Sequence, residues 1–366
     1  HSQPLCTPSR VKIMTGLSNV RNYAAFSILK RGQRTFAHLL REAGYRTMVA
    51  GKWQLLGAEQ YDERFRGKGT WPQEAGFDRH CLWQVDKQGS RYWEPLLTID
   101  GELKQFGADD YGPAIVTDYI CNFMEENRDG PFFAYYPMIL VHNPFEPTPD
   151  SADRNSKDTQ KNFEDMVAYM DKLIGRLVAK TEELGIAERT LILVTGDNGT
   201  NRAIQSTLHG RVIQGAKGLT IDDGTHVALV ARWPGTIPAG HVSNALIDFA
   251  DFLPTFLELA GAPAPAGLDG HSFLPALRGE AVGPREWLFT YYNPRPERTK
   301  PVRYTRDLTW KLYDDGRFFN TREDPLEERP LVDLPAGADA ANAREKLKAA
   351  METMPAEGQT LLRYDE

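Results

Sequence analysis

Hydrophobic residues recur along the chain in two alternating patterns. Helical spacing is clearest over residues 163–184, where apolar side chains return every three or four positions until Gly185 ends the pattern. Residues 190–195 follow as an unbroken apolar and β-branched run, which is typical of a strand buried on both faces. This alternation predicts an α/β fold with a large, mostly parallel sheet that is sandwiched between helices.

The same reasoning predicts the other elements of a large domain that covers residues 1–285. The predicted helices span residues 8–15, 35–43, 113–127 and 248–260, and the predicted strands span residues 45–50, 132–141 and 227–231. Residues 57–112 are rich in glycine, tryptophan and charge and show little periodicity. We interpret them as an insertion with short strands.

The pattern changes at about residue 286. Short alternating segments at 287–292, 302–306 and 309–313 are followed by an alanine-rich helix near 338–352. Turn sequences such as Asp315-Gly316 separate them. We therefore predict a small C-terminal antiparallel α+β subdomain over residues 286–366.

Composition narrows the classes of function. The 366 residues include 43 basic and 50 acidic side chains, which give a net charge of −7 and argue against a nucleic-acid-binding surface. An anionic small substrate stays compatible, because a site needs only local positive charge. No apolar run approaches the roughly 18–20 residues that span a bilayer. Cys6, Cys81 and Cys121 form no CxxC pair, which excludes a disulfide scaffold.

The sharpest chemical signal is the sequence Cys-Thr-Pro-Ser-Arg at residues 6–10. A lone cysteine is usually a small buried hydrophobe. Here Cys6 immediately precedes a predicted helix, whose free N–H groups favour an anion, and Arg10 lies within reach of the same end. A chance match to C-x-P-x-R in a chain of this length has odds of about one in a hundred.

Two further candidates follow predicted strands. Lys52 lies in Gly-Lys-Trp, which cannot be a phosphate-binding P-loop because Arg46 and Trp53 occupy positions that the P-loop reserves for Gly and for Ser or Thr. Asp197 and Asn198 follow the 190–195 strand and could ligate a hard cation or form a plain turn.

His142 after the 132–141 segment and Lys217 in Gly-Ala-Lys-Gly complete the set of candidates. Either residue alone carries little information, because most single histidines and lysines are structural or solvated. The absence of HExxH, CxxC and GxSxG motifs excludes the zincin, structural-zinc and α/β-hydrolase classes.

In this order, the motifs resemble those of the formylglycine-dependent sulfatases of the alkaline phosphatase superfamily. The resemblance extends over essentially the whole chain. It rests on C-T-P-S-R at 6–10, G-Y-x-T…G-K-W at 44–53, D-N-G at 197–199, K-G-L-T-I-D-D-G-T-H-V at 217–227, D-F-L-P-T at 251–255 and D-G-H-S-F-L-P at 269–275.

The resemblance implies a nucleophile and a set of sulfate-binding residues. Cys6 would be oxidised to formylglycine by a maturing enzyme, and the hydrated gem-diol would attack sulfur. Arg10 would orient the diol. Lys52 and Lys217 would bind the sulfate oxygens, and His142 would contact the bridging oxygen and act with Lys217 as the acid for the leaving alcohol.

The resemblance also implies a Ca²⁺ or Mg²⁺ ion held by Asp197, Asn198 and the modified Cys6. The family completes this site with an Asp-Asp pair on a strand upstream of the cysteine motif, and this chain shows no such strand before Cys6. We therefore expect the domain to be incomplete at its N-terminus and to bind calcium weakly or not at all.

A second departure concerns the residue after Gly-Lys-Trp. The family usually has a histidine there, commonly assigned as the base for breakdown of the sulfated intermediate, whereas this chain has Gln54. Glutamine can bind a sulfate oxygen but cannot take a proton, so Gln54 is expected to be a substrate-binding residue only.

The expected activity is hydrolysis of a small-molecule or saccharide sulfate ester. The 57–112 segment contains several aromatic residues, among them Trp71, Trp83, Tyr92 and Trp93. These side chains could stack on the sugar rings of a substrate, or they could pack against the core and hold the insertion in place. A phosphodiesterase or phosphonate monoester hydrolase of the same superfamily is the nearest alternative. A catalytically inactive binding protein is another. The resemblance implies a periplasmic or secreted location.

Overall fold

A computed structural model of the protein describes residues 1–280, 285–296, 298–334 and 338–358. It confirms the α/β class, with helices on both faces of a central sheet and a separate antiparallel sheet near the C-terminus. No helix within these ranges is long and apolar enough to cross a bilayer.

The helices follow the predicted pattern closely. In the described ranges they are α1 (Cys6–Thr15), α2 (Asn19–Asn22), α3 (Phe36–Glu42), α4 (Gly112–Glu126), α5 (Thr159–Glu183), α6 (Asp222–Thr225), α7 (Phe252–Leu259), α8 (Leu274–Leu277) and α9 (Asp339–Glu352). Gly16 ends α1 with a φ of 67°, a left-handed conformation that favours glycine, and its N–H bonds back to the carbonyl of Lys12.

The strands in the described ranges are more numerous than predicted, and most of the predicted ones are shorter. They are β1 (Arg46–Lys52), β2 (Arg79–Trp83), β3 (Leu96–Ile99), β4 (Glu102–Gln105), β5 (Phe132–Tyr135), β6 (Ile192–Thr195), β7 (Gln205–Leu208), β8 (Arg211–Gln214), β9 (Leu229–Arg232), β10 (Leu288–Tyr292), β11 (Val302–Arg306), β12 (Trp310–Tyr313) and β13 (Phe318–Asn320).

The central sheet has the order β4-β3-β2-β1-β5 and is mixed. Strand β1 is parallel to both β2 and β5, whereas β3 runs antiparallel to β2 and to β4. Strands β6 and β9 form a separate antiparallel pair, and β7 and β8 form an exposed hairpin.

Residues 57–112 are therefore not only an insertion, because they supply three strands of the central sheet. The interpretation missed this because β2 is short and begins with polar residues, and because all four residues of β4 are exposed. Such strands carry no alternating hydrophobic signal.

The strand predicted over residues 132–141 is wrong in extent and burial. It ends at Tyr135, and its four residues are partly exposed. Pro137 has no N–H to continue a ladder, and its carbonyl instead accepts a hydrogen bond of 2.8 Å from the backbone of Lys52. Strand β5 pairs with β1 alone, so one flank of it stays open.

Alternate residues of β1 enter two different apolar clusters. Val49 packs into the cluster formed with α1, α3 and α7, whereas Met48 and Ala50 pack into the cluster formed with α4 and α5. The side-chain period of two in a strand accounts for this division. The sheet is thus covered on both faces, as the hydrophobic pattern predicts.

The C-terminal sheet has the order β10-β11-β12-β13 and is antiparallel throughout. Helix α9 packs on it through Leu347 and Met351. The three-residue strand β13 is absent from the prediction because so short a segment shows no periodicity. The domain boundary at residue 285 stays a prediction.

A buried ion pair links α1 to the C-terminal half of the chain. The Nζ of Lys12 lies 2.6 Å from Oδ2 of Asp248, and their side chains are 2% and 4% exposed. The same ammonium donates to the carbonyl of Phe289 in β10 at 3.4 Å. Burial raises the pKa of Asp248, but nearby positive charges, chiefly that of Lys12, lower it below its usual value.

Replacement of Asp248 by Asn should leave the Lys12 ammonium buried without a counter-charge, and we expect a loss of about 3 kcal/mol in the free energy of unfolding. Urea unfolding near neutral pH measures this loss. The matched control is Glu42→Gln, which removes the partner of Arg34 in an exposed pair and should cost less than about 1 kcal/mol. Equal unfolding midpoints for the two variants would contradict a stabilising role for the buried pair.

Candidate active site

Cys6 is the first residue of α1, one turn before Arg10. Its thiol is buried, with the residue 3% exposed, and Sγ lies 3.4 Å from Oε1 of Gln54. Arg10 donates from Nη2 to the carbonyl of Lys52 at 2.7 Å. Its Nε and Nη1 are buried and form no hydrogen bond to the described residues that meets the usual geometry, although the Arg10 charge also acts on the hydroxyl of Tyr135. These two nitrogens can therefore donate to an oxygen ligand beside Cys6.

Lys52 ends β1 and is 7% exposed. It reaches this position because Gly51, with a φ of 122°, lets the backbone pass close to Pro137. A Cβ at residue 51 would lie 2.1 Å from the Pro137 carbonyl oxygen. In the Gly-Lys motif, the glycine therefore permits close backbone packing, and the lysine that follows it lies at the end of the strand.

The charges around Lys52 show which predicted residues lie together. Burial, with smaller contributions from the charges of Arg10 and Lys217, lowers the pKa of Lys52 to about 8. The charges of Cys6 and Asp197 act in the opposite direction. Residues from α1, β1 and the loops after β6 and β8 thus share one electrostatic environment.

His142 lies beside the same lysines as a neutral imidazole. Burial, together with the charges of Lys52, Lys217 and Arg91, lowers its pKa to about 2. Its Nδ1 is 2.7 Å from the carbonyl oxygen of Asn143, a contact that assigns the ring proton to Nδ1. In that tautomer Nε2 accepts a hydrogen bond, so the ammonium of Lys217 is the proton donor nearby.

Asp197 and Asn198 follow β6, and their local contacts fit part of a cation site. Ser9 Oγ donates to the backbone carbonyl of Asp197 at 2.5 Å, which ties this loop to α1. The Oδ1 of Asn198 is buried and has no hydrogen-bond partner. An orphaned amide oxygen beside a carboxylate suits a hard cation.

The donor set is nevertheless incomplete for calcium. Asp197, Asn198 and residue 6 together fall short of the six to eight oxygens that Ca²⁺ prefers. The described ranges contain no group of three or more His, Cys, Asp or Glu side chains that could hold a metal. We therefore derive no chemical step through a metal ion, and weak calcium binding stays a prediction.

Gln54 takes part in a short polar chain that the sequence did not indicate. Its Oε1 faces Cys6, and its Nε2 lies 2.5 Å from the hydroxyl of Tyr61. Gln84 Nε2 also lies 3.5 Å from that hydroxyl. Burial raises the pKa of Tyr61, so it stays protonated near neutral pH. No spacing pattern connects Tyr61 with Cys6, and only the fold brings them together.

Two other residues near Cys6 escaped the sequence analysis. Arg91 stacks on Trp83 with its Cζ 3.8 Å from the ring centroid, and its Nη1 lies 3.2 Å from Nδ1 of His142. Tyr292, at the end of β10, has its pKa raised to about 12 by burial and by the charge of Cys6. The C-terminal sheet therefore borders the site.

The aromatic residues of the 57–112 segment fall into two groups that differ in their exposure to solvent. Trp83 and Tyr92 are 2% and 1% exposed, which confirms the pinning alternative for them. Trp71 and Trp93 are partly exposed, and Trp93 also binds the Pro147 carbonyl through Nε1 at 2.9 Å.

This geometry, a cysteine within a group of cations at the start of a helix, agrees with the comparisons to known proteins. The family model named Sulfatase matches residues 1–262. The chain belongs to the sulfatase family. A second model, for the C-terminal region of N-sulphoglucosamine sulphohydrolase, matches residues 216–356 of this chain.

Human arylsulfatase A is 30% identical over 345 residues, which cover 84% of this chain and 65% of that protein. The chain thus spans less than two thirds of that relative's length. A structure solved with its substrate D-glucosamine-2-N,6-O-disulfate has a TM-score of 0.72 and 21% identity, and covers 96% of this chain and 88% of that one.

Phosphonate monoester hydrolase from Silicibacter pomeroyi has the same fold. Its structure gives a TM-score of 0.65 and 19% identity, and covers 96% of this sulfatase chain and 87% of that one. At this identity the likeness concerns the fold alone.

The lowered pKa of Lys52 predicts a pH-dependent affinity for inorganic sulfate. Because this pKa lies near 8, Lys52 is charged below that pH and loses its charge above it. Sulfate should bind on the order of tenfold more weakly at about pH 9.5 than at about pH 6.5.

Isothermal titration calorimetry at both pH values measures this difference, and Lys52→Arg is the control because arginine stays charged throughout. Superimposable pH profiles for the wild type and Lys52→Arg would contradict the role given to Lys52.

Proposed function

We propose that this chain is a sulfuric ester hydrolase that releases inorganic sulfate from an organic sulfate through a formylglycine nucleophile at position 6. The observation that carries the proposal is the position of Cys6 at the start of α1. There it interacts electrostatically with Lys52, and Arg10 on the same helix has two buried nitrogens without a hydrogen-bond partner among the described residues. Such fixed positive charge stabilises the charge that develops on a transferring sulfuryl group.

Covalent catalysis at this site requires maturation of Cys6. A maturing enzyme that supplies molecular oxygen as the oxidant would convert the CH₂SH side chain into an aldehyde. The carbon–sulfur bond breaks, the sulfur leaves as sulfide, and one oxygen atom takes its place on the carbon. Water then hydrates the aldehyde to a gem-diol. One diol oxygen then attacks sulfur, and the sulfur–oxygen ester bond breaks as the alcohol leaves. Loss of a proton from the second hydroxyl re-forms the aldehyde and expels sulfate.

The neighbouring side chains divide the remaining work. Lys52 and Lys217 bind the sulfate oxygens, and Lys217 protonates the leaving alcohol. Arg10 orients the diol through Nε and Nη1, the two nitrogens that have no hydrogen-bond partner among the described residues. His142, neutral and with its proton on Nδ1, accepts a hydrogen bond at Nε2.

Gln54 provides an acceptor for a hydroxyl on residue 6, because its Oε1 already lies 3.4 Å from Sγ. Its amide has no proton-accepting role, so the proton released in the last step passes to another acceptor, for which the Nε2 of His142 or a water molecule is proposed. Asp197 and Asn198 are proposed as part of a divalent-cation site that other oxygen donors complete.

The proposed substrate is the sulfate ester of a saccharide or an aryl alcohol, and the proposed location is periplasmic or secreted. The saccharide class is supported by the structural similarity to a protein solved with a disulfated glucosamine. The second candidate is phosphonate monoester hydrolysis, which is supported by the fold shared with such an enzyme. Parallel assays with an aryl sulfate and an aryl phosphonate separate these activities.

We predict that co-expression with a formylglycine-generating enzyme lowers the intact mass of the chain by about 18 Da, as atom counting for this covalent change gives. The matured chain should then release sulfate from an aryl sulfate. Cys6→Ala should show neither the mass change nor turnover, whereas Cys121→Ala, on α4, should retain both.

An unmodified Cys6 under these conditions, or a matured chain that releases no sulfate, would favour the inactive binding protein instead.

A further inference from the structure

Arg91 is a cation at the site that the proposed reaction does not use. Its guanidinium stacks on the Trp83 ring at 3.8 Å, and its Nη1 approaches His142 Nδ1 at 3.2 Å. Stacking on a tryptophan face fixes the plane of the guanidinium and leaves its edges open for hydrogen bonding.

Arg91 has no carboxylate within 4.0 Å among the residues that the structure describes. Two other arginines that are largely withdrawn from water are paired with carboxylates, Arg285 with Asp251 and Arg306 with Asp222. Glu146 is close enough for its charge to act on Arg91 but does not form an ion pair with it.

The contact with His142 does not satisfy this arginine. Whichever tautomer the ring adopts, this contact involves Nη1 alone, and no described acceptor lies within hydrogen-bonding distance of Nε or Nη2. Burial lowers the pKa of Arg91, and guanidinium groups keep their charge under such conditions. A partly buried cation is thus held in place while Nε and Nη2 have no acceptor among the described residues, and these donors are available to an anion.

The position of Arg91 indicates where that anion would lie. Arg91 Nη1 lies 3.2 Å from His142 Nδ1, and the charges of Cys6 and Tyr61 both act on Arg91, so its guanidinium lies near the nucleophile. Lys52 and Lys217 approach His142 as well and are assigned to the scissile sulfate. The ring of His142 therefore has the sulfate-binding lysines and Arg91 as separate cationic neighbours.

We propose that Arg91 binds a second anionic group of the same substrate, a carboxylate or a further sulfate, beside the sulfate that is removed. The guanidinium fork matches the two oxygens of either group. This inference rests on the proposed function and narrows the substrate to organic sulfates that carry at least two negative groups.

Equilibrium binding of stable sulfonates tests the proposal without any need for turnover. The probes are benzenesulfonate, 3-sulfobenzoate and benzene-1,3-disulfonate, measured by isothermal titration calorimetry against the wild type and Arg91→Met. The wild type should prefer both dianions to benzenesulfonate. The variant should lose about tenfold or more of its dianion affinity, the range of one charge-assisted contact, and keep its benzenesulfonate affinity within about twofold.

Two further variants separate charge recognition from folding. Arg91→Lys should restore part of the preference, because it returns the charge without the fork. Arg154→Met is the matched control, since Arg154 stacks on Trp93 at a similar 3.7 Å but is exposed. It should leave all three affinities unchanged.

The proposal is overturned if the wild type shows no preference for the dianions, if the preference survives in Arg91→Met, or if that variant weakens all three probes equally. Failure of the proposed function has a different signature. In that case no aryl sulfate is hydrolysed by the matured wild type, while the Arg91-dependent preference for dianions persists.

Discussion

The properties of the site depend on several positively charged side chains that the fold holds close together around Cys6. Arg10 and Lys52 are nearly buried, Lys217 and Arg91 are partly so, and Asp197 is the one carboxylate among the leading influences on Lys52. Burial of cations with so little counter-charge is unfavourable. It lowers the pKa of Lys52 and keeps His142 neutral, and a bound oxyanion relieves it. This arrangement supports the proposal that the site binds an oxyanion.

The fold holds these cations together because separate contacts fix the position of each element that carries one of them. Helix α1 carries Cys6 and Arg10 and is tied through Lys12 to Asp248 and to the backbone of β10. Strand β1 brings Lys52 to the site because Gly51 permits close backbone contact with Pro137. Apolar packing on both faces of β1 supplies the stability that holds these charges together.

The sequence could predict the parts of the site that lie in local patterns. Cys6 and Arg10 share one helix turn, and Lys52 and Asp197 follow strands, so short motifs locate them. Tyr61, Arg91 and Tyr292 belong to no such pattern. They reach the site through the path of the 57–112 segment and through the C-terminal sheet, which are determined by tertiary packing.

The elements of the fold that the sequence did not predict are likewise those that depend on tertiary packing rather than on a local pattern. Amphipathic helices such as α5 were predicted within a few residues, because one face is apolar along the whole length. Strands β2, β3 and β4 were read as an insertion, since short strands with exposed or polar positions lack a period-two signal. Their place beside β1 depends on pairing that only the folded chain shows.

The central claim is that an oxygen nucleophile within this group of cations attacks sulfur, so that the sulfur–oxygen bond of the ester breaks and its carbon–oxygen bond stays intact. Hydrolysis of an aryl sulfate by the matured chain in ¹⁸O-labelled water tests it most directly, because the diol oxygen derives from water and ends in the product of its attack. The account predicts ¹⁸O in the released sulfate and none in the phenol. Label in the phenol would show cleavage of the carbon–oxygen bond and would contradict the account.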